Sequence, residues 1–203
     1  MLTVGVTGGY ATGKSFVAGE LERLGSKLIS ADKLGHEALL PSGEAYEPAI
    51  ALFGSSIVGP DGYIDRKKLG HIVFADPALL AKLTAIVHPA VFKLEAKLTA
   101  KYAEQDPAAV VVTEAAILIE TGRYKMFDRL IVTVCSPETQ VARGMKRDRL
   151  SREDVMDRIR HQIPLEEKRR YAHYIVDTDA PKAETIAQVE VIFRDLKRIA
   201  VNA

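Results

Sequence analysis

The chain has 203 residues, 47% hydrophobic and 27% charged, with a formal net charge of +1. That composition allows a sizeable buried core and gives no global electrostatic reason to expect nucleic acid or a membrane surface as the main partner. A lone cysteine, Cys135, excludes an intramolecular disulfide and a multi-cysteine metal site; at the end of the apolar run from Leu130 it reads as a buried thiol in a reducing cytoplasm.

Leu2-Thr3-Val4-Gly5-Val6-Thr7 is a β-prone run ending at glycines, and Phe16 to Leu24 then carries apolar residues at helical spacing, closed by Gly25. Lys27 to Ser30 is a second short strand. About 75 residues follow that read mostly as helix, broken at Pro41-Ser42-Gly43, at Gly59-Pro60-Asp61-Gly62 and at His88-Pro89, where Pro89 is expected to open a new helix. Ala109 to Thr113 and Leu130 to Val134 are continuous apolar runs, the signature of parallel strands covered on both faces. Glu184 to Ile199 reads as a closing amphipathic helix. Strands alternating with helices imply an α/β fold with a doubly wound parallel sheet. No charged leader precedes the first strand and no apolar stretch approaches the ~20 residues that span a bilayer, so no membrane association is expected.

Gly8-Gly9-Tyr10-Ala11-Thr12-Gly13-Lys14-Ser15 fits G-x-x-x-x-G-K-[ST] and lies between a strand and a helix, where a phosphate-binding loop must lie. Glycines let backbone N–H groups turn toward phosphate oxygens, and the following helix adds its positive N-terminal end. Lys14 brings a full charge, and the Ser15 hydroxyl suits the Mg²⁺ that bridges the phosphates of ATP. Asp32, just past the second strand, is a candidate proton acceptor for an attacking hydroxyl; capping a helix that starts at Lys33 is the plainer role for it. Glu114 ends the third strand and is a candidate Mg²⁺ ligand, with a surface carboxylate as the alternative.

From Val141 to Arg170 ten Lys or Arg stand against six Asp or Glu, so this segment is basic while the rest of the chain is not. Arg143, Lys146 and Arg147 fall on neighbouring helical positions, as a lid over polyphosphate would require, although pairing with Asp148, Asp154 or Asp157 on a solvated helix would use the same residues. The expected division is a core of about 1–35, 105–140 and 171–203, a helical insertion over about 36–104 and a lid over about 141–170. Other small-molecule P-loop kinases, acting on a nucleoside monophosphate, shikimate or gluconate, share this plan without so long an insertion. A GTP-binding switch is disfavoured because no N-K-x-D accompanies Asp32-Lys33-Leu34-Gly35, and a non-catalytic nucleotide-binding module stays open at this level.

Across essentially the whole chain the order of features resembles the dephospho-CoA kinases. Val4 to Ser15 is followed by Ala31-Asp32, Asp61-Gly62, Asp65-Arg66, His88-Pro89 and Glu120-Thr121-Gly122. Gln140-x-x-Arg143-x-x-x-Arg147-Asp148, Leu150-Ser151-Arg152-Glu153, Arg158-Ile159, Gln162-x-Pro164, Glu167-Lys168 and Val176-Asp177 complete the pattern. The resemblance implies a P-loop kinase core, a helical domain that receives dephospho-CoA and a mobile lid, in an enzyme that transfers the ATP γ-phosphoryl group to the ribose 3′-hydroxyl; separately from the resemblance, a monomer is expected, with weak oligomerisation as the alternative. The resemblance also implies that Ala11, Thr12, Gly13, Lys14, Ser15 and Phe16 bind ATP, that Asp32 is the general base, that Arg143 supports the phosphates and that His88 lies near the acceptor. Departures from the pattern are Tyr10-Ala11 for Ile-Gly, Phe16 for Thr, Ser30 for Asp, Glu114 for Asp, Ala116 for Pro, Ile119 for Phe, and Thr178 and Ala180 for Asn and Gly.

Overall fold

The computed structural model describes residues 1–202, and the chain divides into two compact units, Met1–Ile29 with Lys101–Ala203, and Ser30–Ala100. The first unit is built on β1 (Leu2–Gly8), β2 (Lys27–Ser30), β3 (Val110–Glu114), β4 (Arg129–Val134) and β5 (Tyr174–Asp177), in the sheet order β2-β3-β1-β4-β5. The pairings of β1 with β3, β1 with β4 and β4 with β5 are parallel, with Val4 facing Val112 on one side and Arg129 on the other. Parallel central strands are covered on both faces, and Val4, Val6, Val112, Ile131 and Val132 are accordingly fully buried. On one face α1 (Lys14–Arg23) and the closing helix α9 (Lys182–Asn202) contribute Val17, Leu21, Val189, Ile192 and Leu196 to the main core. The chain leaves central β1 where strand order departs to β3 on one side and β4 on the other, the switch point at which open α/β sheets bind ligands.

β5 is the strand that the sequence pattern does not reveal. It pairs only with β4, at the edge of the sheet, and of its four residues only Val176 is buried, so the continuous apolar run that marks the other strands is missing. Between β4 and β5 run α6 (Pro137–Asp148), α7 (Arg152–Arg160) and the short α8 (Leu165–Arg169). Ser136 caps α6 by accepting from the Thr139 N–H, and Ser151 with Asp154 forms a reciprocal capping box on α7.

The second unit holds α2 (Ala31–Ala38), α3 (Tyr46–Phe53), a 3₁₀ turn at Ser55–Ile57, α4 (Arg66–Ala75) and most of α5 (Pro77–Gln105). Tyr46, Ala49, Ile57, Ile64, Leu69 and Val73 form its own small core. Asp65 caps α4 by accepting from the N–H groups of Lys67 and Lys68. Two expectations are corrected here. Pro89 does not open a helix but lies inside α5, which continues for 29 residues. A proline there withdraws the N–H that the Ala85 carbonyl would accept, at a cost of ~3 kcal/mol, and the helical residues on either side override it. Second, α5 is long and apolar enough by length and composition alone to meet the criterion for a membrane-crossing helix, with mean hydropathy 1.3 in its best window, because Leu79, Leu80, Leu83, Ile86, Val87 and Val91 accumulate around Lys82 without forming an unbroken apolar run.

Candidate active site

The loop between β1 and α1 is fixed from below. Thr12, fully buried, lies with its Oγ1 2.9 Å from the Gly9 carbonyl and 2.7 Å from Thr133 Oγ1 on β4. Gly13 stands at the N-cap of α1 with φ +81°, a left-handed conformation that favours glycine, and no side chain caps that helix end. The first turn of α1 therefore offers its N–H groups and the positive end of its dipole to an anion rather than to a capping side chain. Ala11 holds φ +57°, a left-handed conformation that a β-carbon disfavours, so this loop carries mild backbone strain. Lys14 Nζ donates to the Gly9 carbonyl at 2.8 Å, folding back over the loop's mouth.

Ser15 Oγ donates to Glu114 Oε1 at 2.7 Å, joining the helix start to the carboxyl end of β3. A hydroxyl and a carboxylate so close together are hard oxygen donors that suit Mg²⁺. Among the described residues no group of three or more His, Cys, Asp or Glu could hold a metal, so a cation here would draw the rest of its shell from phosphate oxygens and water.

The basic segment reaches this loop through α6 and α7. Gln140, buried, donates from Nε2 to the Tyr10 carbonyl at 2.6 Å. Arg143 grips Thr178 twice, Nη1 donating to Oγ1 at 2.8 Å and Nη2 to the backbone carbonyl at 2.5 Å, while Thr178 Oγ1 lies 3.0 Å from the Thr12 carbonyl. The guanidinium is thereby held within one residue's reach of the phosphate loop. Arg147 is differently placed: its Nε and Nη2 fork onto Asp148 at 2.8 and 2.9 Å, and it stacks 4.9 Å over the Tyr10 ring, with Arg158 5.7 Å from the same ring. The Tyr10 hydroxyl hydrogen-bonds Asp148. Arg147 holds the Asp148 carboxyl down at about 2, and burial, then the bond to Asp148, raises the Tyr10 phenol. Gly144 makes this packing possible, since a Cβ there would stand 2.6 Å from Tyr10 Cε1 and 2.9 Å from Val155. Cys135, at the end of β4, is buried as expected, and burial pushes its thiol up to about 11.

Asp32 and His88 belong to the helical unit. Asp32 is the second residue of α2 and exposed. Because α2 opens at Ala31, Asp32 does not cap a helix beginning at Lys33; it sits in the first turn, where the helix dipole favours a carboxylate. His36, one turn on, is held below its usual range by burial and then by Arg66, with Asp32 acting in the opposite sense. His88 is half-buried in α5, its ring 5.4 Å from that of Phe92. The sequence pattern did not bring out Tyr10, Thr133 or Thr178 as partners of the loop; Tyr10 and Thr178 stand out there only as departures from related chains.

A strand–loop–helix phosphate cradle at the switch point of a parallel sheet, with lysine, hydroxyl, carboxylate and arginines around it, defines the class of P-loop kinases. Within that class the chain belongs to the dephospho-CoA kinase family, whose sequence profile matches residues 2–184. The dephospho-CoA kinase of Geobacter metallireducens is 41% identical over 96% of both chains, and that of Aquifex aeolicus 38% identical over 98% of this chain and 99% of the other. The fold is similar to that of the dephospho-CoA kinase from Campylobacter jejuni (TM-score 0.73, 27% identity, 97% of each chain) and of TT1252 from Thermus thermophilus (TM-score 0.80, 31% identity, 96% of this chain and 97% of the other).

Proposed function

We propose that this chain transfers the γ-phosphoryl group of ATP to the ribose 3′-hydroxyl of dephospho-CoA, giving CoA and ADP, the last step of coenzyme A synthesis. The observation that carries the reading is the Lys14 and Ser15–Glu114 cradle in a chain related to dephospho-CoA kinases over nearly its full length. The N–H groups of Gly8 to Phe16 and the Lys14 ammonium hold the polyphosphate, so Lys14 must exchange the Gly9 carbonyl for a phosphate oxygen. Ser15 and Glu114 would hold Mg²⁺, which neutralises charge on the phosphates when bound. Arg143, steadied by Thr178, and Arg147, once it leaves Asp148, supply cations against charge that develops during transfer. The segment 141–170 closes as a lid that excludes water, and the unit Ser30–Ala100 receives the acceptor. There Asp32 orients the 3′-hydroxyl and takes its proton, with His88 contacting the acceptor. The reducing cytoplasm is the compartment we assign, and the monomer is the working form.

The test is an ADP-release assay with Mg·ATP, comparing dephospho-CoA with adenosine monophosphate, shikimate, gluconate and no acceptor. ADP release that depends on dephospho-CoA and yields CoA is the expected result. Turnover with another acceptor alone would keep the kinase and discard this substrate; no turnover with any acceptor would leave a nucleotide-binding module.

A further inference from the structure

Two pieces of the family pattern, Glu120-Thr121-Gly122 and Glu167-Lys168, take no part in the roles above, and the fold brings them together. The Lys168 side chain, on α8, is 0% exposed. Lysine is almost never withdrawn from water without partners, because an unpaired ammonium in an apolar setting is costly. Here Nζ donates to the Gly8 carbonyl at 3.2 Å and the Ala116 carbonyl at 3.3 Å, and meets Glu120 Oε1 at 2.6 Å. The last contact is the shortest of the three, a charge-assisted pair in which both Glu120 carboxylate oxygens are buried. Coulomb attraction in a poorly hydrated site strengthens it, and the two backbone carbonyls take the lysine's other donors.

We infer that Lys168 and Glu120 form a buried positioning pair for the phosphate-binding loop. In a planar trans peptide the C=O and the following N–H point in opposite directions. Holding the Gly8 carbonyl therefore fixes where the Gly9 N–H points, and that N–H belongs to the loop proposed to hold the polyphosphate. The pair is neutral as a whole, so its effect is orientation of the loop rather than added positive field. Leu165, one turn before Lys168, packs close enough that a Cβ on Gly9 would lie 3.1 Å from it, so α8 bears on the same two residues. The carboxyl end of the 141–170 segment is thus fastened to the sheet, and lid motion belongs to the helices before α8.

The inference rests on the proposed nucleotide reading, and the experiment separates the two. Lys168→Met keeps the length of the side chain and removes its donors, but strands the Glu120 charge. Lys168→Met/Glu120→Gln removes both charges and recovers stability while the Gly8 carbonyl stays unheld. Thermal stability, Mg·ATP binding, and KM and kcat for each substrate are measured on wild type and both variants. The expected result is a KM for Mg·ATP raised roughly tenfold or more in both variants, kcat within about threefold, and an unchanged KM for dephospho-CoA. A double variant of wild-type stability whose KM for Mg·ATP is also restored would leave Lys168 a purely structural role and overturn the inference. Absence of Mg·ATP binding by wild type would instead overturn the nucleotide reading. Should neither variant fold, hydrogen exchange on wild type decides: Mg·ADP should protect the 8–13 loop and α8 together, and protection of the loop with α8 unchanged would contradict the pair's role.

Discussion

Each of the two units of this chain is held together internally by different means. Around the phosphate loop each polar side chain has a fixed partner: Thr12 on Thr133, Ser15 on Glu114, Arg143 on Thr178, Lys168 on the Gly8 carbonyl. The helical unit relies on a small apolar cluster and helix caps, and Asp32 stands exposed in a first helical turn. The contrast follows the chemistry asked of each. On the proposed reading, the loop's backbone dipoles are already in place for a polyphosphate, although Lys14 and Arg147 must still exchange partners, whereas an acceptor must enter the helical unit, be oriented and leave.

Lys14→Ala attacks the prebuilt side where its charge is greatest. It should lower kcat/KM for ATP about a hundredfold or more, read by steady-state kinetics, and a loss under tenfold would mean that the loop amides suffice. Gly144→Ala tests whether close packing of the basic segment on Tyr10 is needed. The added methyl must displace the Tyr10 ring or Val155, so a loss of about 1–3 kcal/mol in denaturant unfolding is expected, together with a higher KM for ATP. Pro89→Ala probes the looser unit in the opposite direction: restoring an N–H for the Ala85 carbonyl should stabilise the protein by about 1–3 kcal/mol. A loss of stability there would show that packing around α5 depends on the proline, and would narrow the contrast between the units. The smallest effect concerns Asp148. Its folded-state pKa of about 2 lies below the ordinary value near ~3.9, so its contribution to stability is complete above about pH 4 and is lost as pH falls through 2. Asp148→Asn should therefore lower stability modestly near neutrality, flatten the acid limb between pH 4 and 2, and approach wild type below pH 2.

Much of the loop side was legible because its signals are local. Periodicity placed β1, β2, β3 and β4 within a residue of their observed ends, and the glycine spacing placed Lys14 and Ser15 in the loop before a helix expected from Phe16, which opens two residues earlier at Lys14. What the sequence withheld depends on distant partners. Lys168 lies in a run of charged residues, Glu166-Glu167-Lys168-Arg169-Arg170, that looks solvated, and only tertiary contact with Gly8 and Glu120 removes it from water. β5 escaped because an edge strand of four residues needs no continuous apolar run. Pro89 was read as a boundary because a local rule prices the lost hydrogen bond and cannot weigh a 29-residue helix around it. Arg143 and Arg147 looked equivalent at four-residue spacing, yet one is held by Thr178 and the other by Asp148 and Tyr10.

The central claim is that nucleotide binding is built into the loop while transfer starts from Asp32. Asp32→Asn, assayed for Mg·ATP binding by calorimetry and for dephospho-CoA-dependent ADP release, tests that division directly. Wild-type ATP affinity with turnover reduced by about 10²–10⁴ is the result this account expects. Turnover within a few-fold of wild type would remove Asp32 from the chemistry and contradict it.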